Sequence, residues 1–157
     1  MGVGTGADLE LIKNLEITAI DLSADMLKKA MGKFDDASIH FLEMDAQHME
    51  FANESFDYVV GSLVLSVVPD ANECLREMTR VVKGEGKIIL FDKFISKDER
   101  LSLPKRLLRP IIRFLGTDIG LRFEDLFSAH GDFMEIEEDR PIMLNGMYRK
   151  IITSKRL

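Results

Sequence analysis

Apolar residues recur along this chain in two alternating rhythms. Ile17-Thr18-Ala19-Ile20 is a short β-branched run that predicts a buried strand ending at Asp21. Ser23 then suits the N-cap of a helix over Ala24–Phe34, in which Met26, Leu27, Ala30 and Met31 fall at helical spacing. Asp35-Asp36-Ala37-Ser38 reads as a turn, and Ile39–Met44 as a second strand that delivers the chain to Asp45. Residues 47–55 are polar and predict a short helix or a loop. Phe56–Val60, extended toward Leu65, reads as a third strand, and Pro69-Asp70 opens a helix over Ala71–Val82. Lys83-Gly84-Glu85-Gly86 predicts a turn before the strand Lys87–Asp92. At the front, glycine-rich Gly2–Gly6 runs into the good helix formers Ala7–Lys13. Strands alternating with helices across short turns predict an α/β domain with a mostly parallel sheet.

The last third follows a different pattern. Residues 93–113 hold seven Lys or Arg against two acidic residues, with Leu101, Leu103, Leu107, Leu108, Ile111 and Ile112 threaded among them. Pro104 suits a helix start there, and Pro110 a bend or break. Phe123–Ala129 predicts a short helix. Phe133–Ile136 and Met147–Thr153 read as strands joined through Asn145-Gly146, which predicts an antiparallel pair at a sheet edge.

Composition narrows the class without changing that picture. The 157 residues suit one domain, and the 46% hydrophobic and 31% charged fractions exclude a disordered chain. One domain over 1–157 is expected, with a cofactor-binding part at 1–92, a lid or acceptor segment at 93–130 and a strand pair at 131–157. Cys74 is the only cysteine, so no intramolecular disulfide forms and a reducing, cytoplasmic setting is the default. No apolar run reaches the ~20 residues that span a bilayer. The N-terminus carries neither a signal-peptide pattern nor a myristoylation site. A net charge of −6 argues against general nucleic-acid binding.

The candidate chemistry lies at the front. Gly2-Val3-Gly4-Thr5-Gly6 suits a loop that brings backbone close to a ligand. Asp21 follows Gly2 by 19 residues at the end of the next strand. That is the place of the acidic residue that accepts ribose hydroxyls in nucleotide-binding α/β folds. Asp45 repeats the arrangement one strand later, suited to an exocyclic amine of the same nucleoside. The competing readings are plain turns at all three places. A nicotinamide cofactor fits less well, because the loop reads G-x-G-x-G rather than G-x-G-x-x-G and no Tyr-x-x-x-Lys pair is present.

The run Gly2–Gly6, then Ile20-Asp21-Leu22-Ser23-Ala24-Asp25-Met26-Leu27, Met44-Asp45-Ala46 and Ser55-Phe56-Asp57-Tyr58-Val59-Val60, resembles class I S-adenosylmethionine-dependent methyltransferases. The match continues through Val68-Pro69-Asp70 and Leu75–Lys87, covers about residues 1–92, and is most similar to the ubiquinone/menaquinone-biosynthesis type. The resemblance implies a Rossmann-like fold, S-adenosylmethionine as cofactor and methyl transfer as activity. It implies that Gly2, Gly4 and Gly6 pass under the methionine and ribose portion and that Asp21 holds the ribose hydroxyls. Leu22 and Met26 then pack near the adenine, Asp45 and Ala46 meet its edge, and Ser62 lines the crevice near the sulfonium. No metal site is implied.

The family has a strand ahead of its glycine loop, at the middle of the sheet, and the sequence lacks a counterpart before Gly2. The expectation is a chain less stable than its composition suggests, or one whose gap is closed by rearrangement or by a partner. A truncated, inactive remnant or a non-catalytic binding module is therefore the alternative function. Asp92, His130 and Tyr148 are candidate bases by location alone, so no catalytic residue is assigned. The tail motifs Gly116-Thr117-Asp118, Phe123-Glu124-Asp125 and Gly146-Met147-Tyr148-Arg149 resemble methyltransferases of phospholipid amines or quinone precursors, which implies a small or lipid-like acceptor. Segment 93–113 then reads either as a lid over that acceptor or as a peripheral contact with an anionic membrane.

Overall fold

The computed structural model describes residues 1–94, 121–131 and 133–156. The basic segment 93–113 therefore lies, from residue 95 onward, outside the described residues, together with the expectations placed on Pro104, Pro110 and Gly116-Thr117-Asp118.

Strand β1 (Ile17–Asp21) pairs in parallel with β2 (Ile39–Glu43), joined through helix α1 (Ala24–Met31). Ser23 caps α1 as its sequence predicts, its hydroxyl accepting the Met26 N–H. Strand β3 (Phe56–Ser62) pairs in parallel with β4 (Val82–Lys93) through helix α2 (Ala71–Val81). Asp70 caps α2 by accepting the Asn72 and Glu73 N–H groups at 2.9 and 3.1 Å. Helix α3 (Phe123–His130) precedes strands β5 (Met134–Met143) and β6 (Tyr148–Lys155), which form the expected antiparallel pair. The order in this larger sheet is β3-β4-β6-β5, so β5 takes the edge and β6 pairs antiparallel with β4.

Two local expectations are corrected. Residues after the glycine loop form a 3-10 turn, Ala7–Leu11, rather than a helix reaching Lys13. Helix formers alone do not sustain a helix this short without a buried face, and only Leu9 is buried. Lys83–Gly86 is not a separate turn but a bulge inside β4, where the register steps from Phe56↔Val82 to Tyr58↔Lys87. Gly86 permits it, since a Cβ there would stand 2.6 Å from the Asp57 carbonyl oxygen. Of the two readings of the polar 47–55 stretch, the loop is the one observed.

The core is one cluster. Leu75, Met78 and Val81 of α2 join Ile88 and Leu90 of β4 and Ile151 of β6. Ile20 of β1 belongs to the same cluster, so side chains tie the smaller sheet to the larger. Among the described residues no ladder joins β1 to β3. Only Met1–Val3 bridge them: the Met1 amine donates to the Val60 carbonyl at 2.7 Å, and the Val3 N–H to the Ile20 carbonyl at 3.1 Å.

Candidate cofactor crevice

The acidic residues picked out in the sequence stand where the parallel strands deliver them, at carboxyl ends. Asp21 closes β1, Asp45 follows β2, Ser62 closes β3 and Asp92 lies near the end of β4. The Met44 N–H donates to the Asp21 carbonyl at 3.0 Å, which aligns the first two ends. Ligands of open α/β sheets bind along such a row.

The glycine loop is drawn across it by two contacts. Asp21 Oδ2 accepts the Gly4 N–H at 2.8 Å while its Oδ1 accepts the Ser23 N–H at 2.9 Å. At the other side the Ser62 N–H donates to the Met1 carbonyl at 3.3 Å, and a Cβ on Gly2 would stand 3.1 Å from the Ser62 carbonyl oxygen. Gly2, Gly4 and Gly6 have φ of 64°, 53° and 78°, all in the left-handed region that favours glycine. Gly6 is fixed by packing as well, because a Cβ there would meet Phe34 Cε2 at 2.8 Å.

The Asp21 carboxylate has about four acceptor positions, and the loop and turn use two. Two are left for a vicinal diol. Leu22 and Met26 flank it with 68% and 37% of their surface exposed, an uncovered apolar platform beside a polar anchor. These residues fit an adenosine-bearing cofactor.

Asp45 is more committed. Its Oδ1 accepts the Gln47 N–H at 2.8 Å and the Gln47 side-chain amide at 3.1 Å, and its Oδ2 lies 3.6 Å from His48 Nδ1. Burial pushes its carboxyl up, but the hydrogen bonds from Gln47 and His48 outweigh this and hold it below the ordinary value. Gln47, which the sequence reading passed over, is itself buried, and its carbonyl accepts the Asp70 N–H at 2.8 Å. One glutamine thus ties the end of β2 to the start of α2. Ala46 is buried in the core cluster, so only its backbone can meet a ligand.

The three candidate bases are not brought together. Asp92 is fully buried and accepts the Leu65 and Lys93 N–H groups, each at 2.7 Å. Burial raises its pKa despite those donors. It holds the chain that leaves β3. His130 Nδ1 lies 2.9 Å from the Leu126 carbonyl in α3, and Tyr148 stacks on Phe91. Cys74 is fully buried, and burial pushes its thiol up to about 12, which removes it as a nucleophile.

A second polar centre had no role assigned from the sequence. Arg149 is buried, makes two hydrogen bonds to Asp139 at 2.9 and 2.6 Å, and pairs with Glu124 at 2.9 Å. Its guanidinium also lies over the Phe94 and Phe123 rings. The cluster fixes α3 against β5 and β6, beside Phe94 at the start of the basic segment 93–113.

The profile of the methyltransferase-domain family matches residues 1–90. The chain belongs to this family. S-adenosylmethionine is the cofactor of such methyltransferases, and the crevice residues fit it. The chain is 28% identical over 163 aligned positions to phosphatidylethanolamine N-methyltransferase of Cereibacter sphaeroides, covering 94% of this chain and 74% of that protein. It is 38% identical over 79 positions to demethylmenaquinone methyltransferase of Listeria welshimeri, covering 48% of this chain and 34% of that protein. The methyltransferase thus spans about a third of that relative's length. Its fold matches an S-adenosylmethionine-dependent methyltransferase from Methanosarcina mazei with a TM-score of 0.76 at 21% identity, over 99% of this chain and 90% of that one.

Proposed function

We propose that this chain transfers a methyl group from S-adenosylmethionine to the amine of an amphiphilic, phospholipid-like acceptor. The observation that carries the cofactor half is the Asp21 carboxylate, held by the Gly4 and Ser23 N–H groups with two acceptor positions left over. The cofactor supplies an electrophilic methyl on a sulfonium. In this reading Gly2 and Gly4 pass beneath the methionine and ribose portion, with Ser62 close to the sulfonium. Gly6 shapes the loop from behind, Asp21 accepts the ribose hydroxyls, and Leu22 and Met26 cover one adenine face. Asp45 and the Ala46 backbone meet the adenine edge.

The acceptor half rests on coverage and on chemistry. The phosphatidylethanolamine relative aligns along 94% of the chain, beyond the cofactor part, whereas the demethylmenaquinone relative aligns along 48%. An amine that is deprotonated in solution attacks without a protein base. Asp92 is committed to backbone donors and His130 to its own helix, which suits an amine better than a quinol carbon. Positioning is then the protein's main contribution.

The test is methyl transfer from labelled S-adenosylmethionine to phosphatidylethanolamine vesicles, with a demethylmenaquinol analogue in parallel. Label in the phospholipid amine supports the proposal; label only in the quinol moves the acceptor to the second class. A second reading, a cofactor-binding module without transfer activity, is favoured by the absence, among the described residues, of a ladder between β1 and β3. It predicts S-adenosylhomocysteine binding with no transfer to either acceptor.

A further inference from the structure

Strand β5 is an edge strand, and its two halves carry opposite chemistries. Over residues 134–139 it holds Glu135, Glu137, Glu138 and Asp139, charges that suit an uncovered edge. From residue 140 it holds Arg140, Pro141, Ile142 and Met143, followed by Leu144 in the turn to β6. All five are exposed. Ile142, Met143 and Leu144 leave 43%, 54% and 63% of their surface uncovered. Successive strand residues point to opposite faces, so this hairpin end is covered on neither face. Single exposed apolar side chains are ordinary, whereas a contiguous run marks a contact surface.

Leu144 adds a second anomaly. Its φ of 49° lies in the left-handed region, which glycine or asparagine adopts at less cost than leucine. One residue thus carries both backbone strain and an apolar side chain in water, and an apolar contact relieves the latter.

The surroundings of this end select the contact. It is narrow and closed by the 3-10 turn Leu144–Gly146, so a protein partner needs a matching pocket, whereas acyl chains yield around it. Arg140 and Lys150, opposite each other in the ladder, stand behind it and share one carboxylate, Glu138, at 3.3 and 3.1 Å. No acidic residue occurs between 140 and 150. Tyr148, opposite Met143, stacks on Phe91, an aromatic residue of the kind that favours the head-group boundary. The chain also leaves β4 here, with the Phe94 N–H donating to the Met147 carbonyl at 2.8 Å, and residues 93–113 hold seven Lys or Arg against two acidic residues. An apolar end with cations behind it matches an anionic phospholipid surface.

Topology decides which side of the molecule that surface meets. Ser62 pairs with Phe91, Phe91 with Lys150, and Lys93 with Tyr148. The hairpin end therefore projects past the carboxyl ends of β3 and β4, the end of the sheet that carries Ser62.

We propose that residues 141–144 insert into the surface of an anionic phospholipid bilayer, with Arg140 and Lys150 at head-group level, and so turn the crevice end of the sheet toward the lipid. The benefit of that orientation rests on the phospholipid reading of the acceptor; the binding rests on the hairpin alone.

The experiment uses the 157-residue chain and vesicles of equal parts phosphatidylcholine and phosphatidylglycerol, without S-adenosylmethionine. The chain has no tryptophan, so Leu144→Trp places a single reporter at the hairpin end. Its emission should shift to the blue on vesicle addition and be quenched by lipids brominated along the acyl chain. Met143→Ser combined with Leu144→Gly should weaken co-sedimentation about tenfold or more, the scale of two apolar side chains left in water. Glycine relieves the backbone at 144, so the Tm of this double variant should not fall, which separates lost binding from lost folding. The variant keeps residues 93–113 intact, so unchanged co-sedimentation would assign the binding to that segment and overturn the proposal. An unshifted reporter would overturn it too. So would a parent chain that ignores vesicles and forms dimers that the double variant does not, read by sedimentation velocity. Vesicle binding without label in phosphatidylethanolamine sinks the acceptor reading alone, whereas label transferred in detergent micelles without vesicle binding sinks this proposal alone.

Discussion

Gly4 and Gly6 share a left-handed backbone, yet a side chain would meet different surroundings at each. A Cβ on Gly4 touches nothing within 4 Å, so Gly4→Ala should lose only the backbone preference, about 1–2 kcal/mol. Gly6→Ala adds the collision with Phe34 and Ala30, about 1–3 kcal/mol more of overpacking. Urea unfolding of the two variants checks the order, and equal losses would mean that Phe34 yields freely. Asp21 is argued at the same scale. Asp21→Ala should weaken S-adenosylhomocysteine binding by about 1–3 kcal/mol, the scale of lost charged hydrogen bonds. Calorimetric titration that found unchanged affinity would remove the ribose role from this residue. The glycines and Asp21 were legible in the sequence because spacing along one strand fixes where such residues emerge. Gln47 was not. A single polar residue in a polar stretch carries no signal until its partners Asp45 and Asp70, on separate elements, are known.

Among the elements, α2 shows what periodicity can and cannot reveal. Its buried positions Cys74, Leu75, Met78 and Val81 follow the helical repeat, and its bounds agree with the sequence to one residue at the C-terminus. Glu77 breaks the pattern, buried among them with its carboxylate accepting from Arg80 and from the Met49 N–H at 2.8 Å. The Arg80 hydrogen bonds, aided by Met49, hold its carboxyl below the ordinary range against the opposing effect of burial. A lowered folded pKa gives stability that is present above the unfolded value, about 4.3, and lost as pH falls through the folded one. Glu77→Gln should therefore flatten the acid limb of a stability–pH curve measured by denaturant unfolding. Asp92 has the opposite sign. Its raised pKa makes its contribution fall as pH rises above the ordinary aspartate range, and Asp92→Asn isolates that part in the same measurement. The β4 bulge and the 3-10 turn were misread from sequence, since both depend on which neighbour lies alongside and not on local preference.

For the whole molecule, stability should be uneven. Among the described residues, the β1–α1–β2 unit is tied to the larger sheet by core side chains such as Ile20 and by the Met1–Val3 bridge, without a continuous ladder. Cooperative units with fewer long-range hydrogen bonds open at lower free energy. Native-state hydrogen exchange should therefore show β1 and β2 amides exchanging ahead of those in β4 and β6, and uniform protection would contradict the split. The sequence by itself determined the α/β class, the helix cap at Ser23, the helix opened by Pro69-Asp70, the antiparallel tail and the family, because each is written in local spacing. Tertiary structure decided that Ile20 ties the smaller sheet to the larger through side chains, that Asp92 is locked in the interior and that Arg149 anchors α3. Those outcomes depend on groups far apart in the chain meeting in space, and burial and hydrogen-bond partnership exist only once they have met.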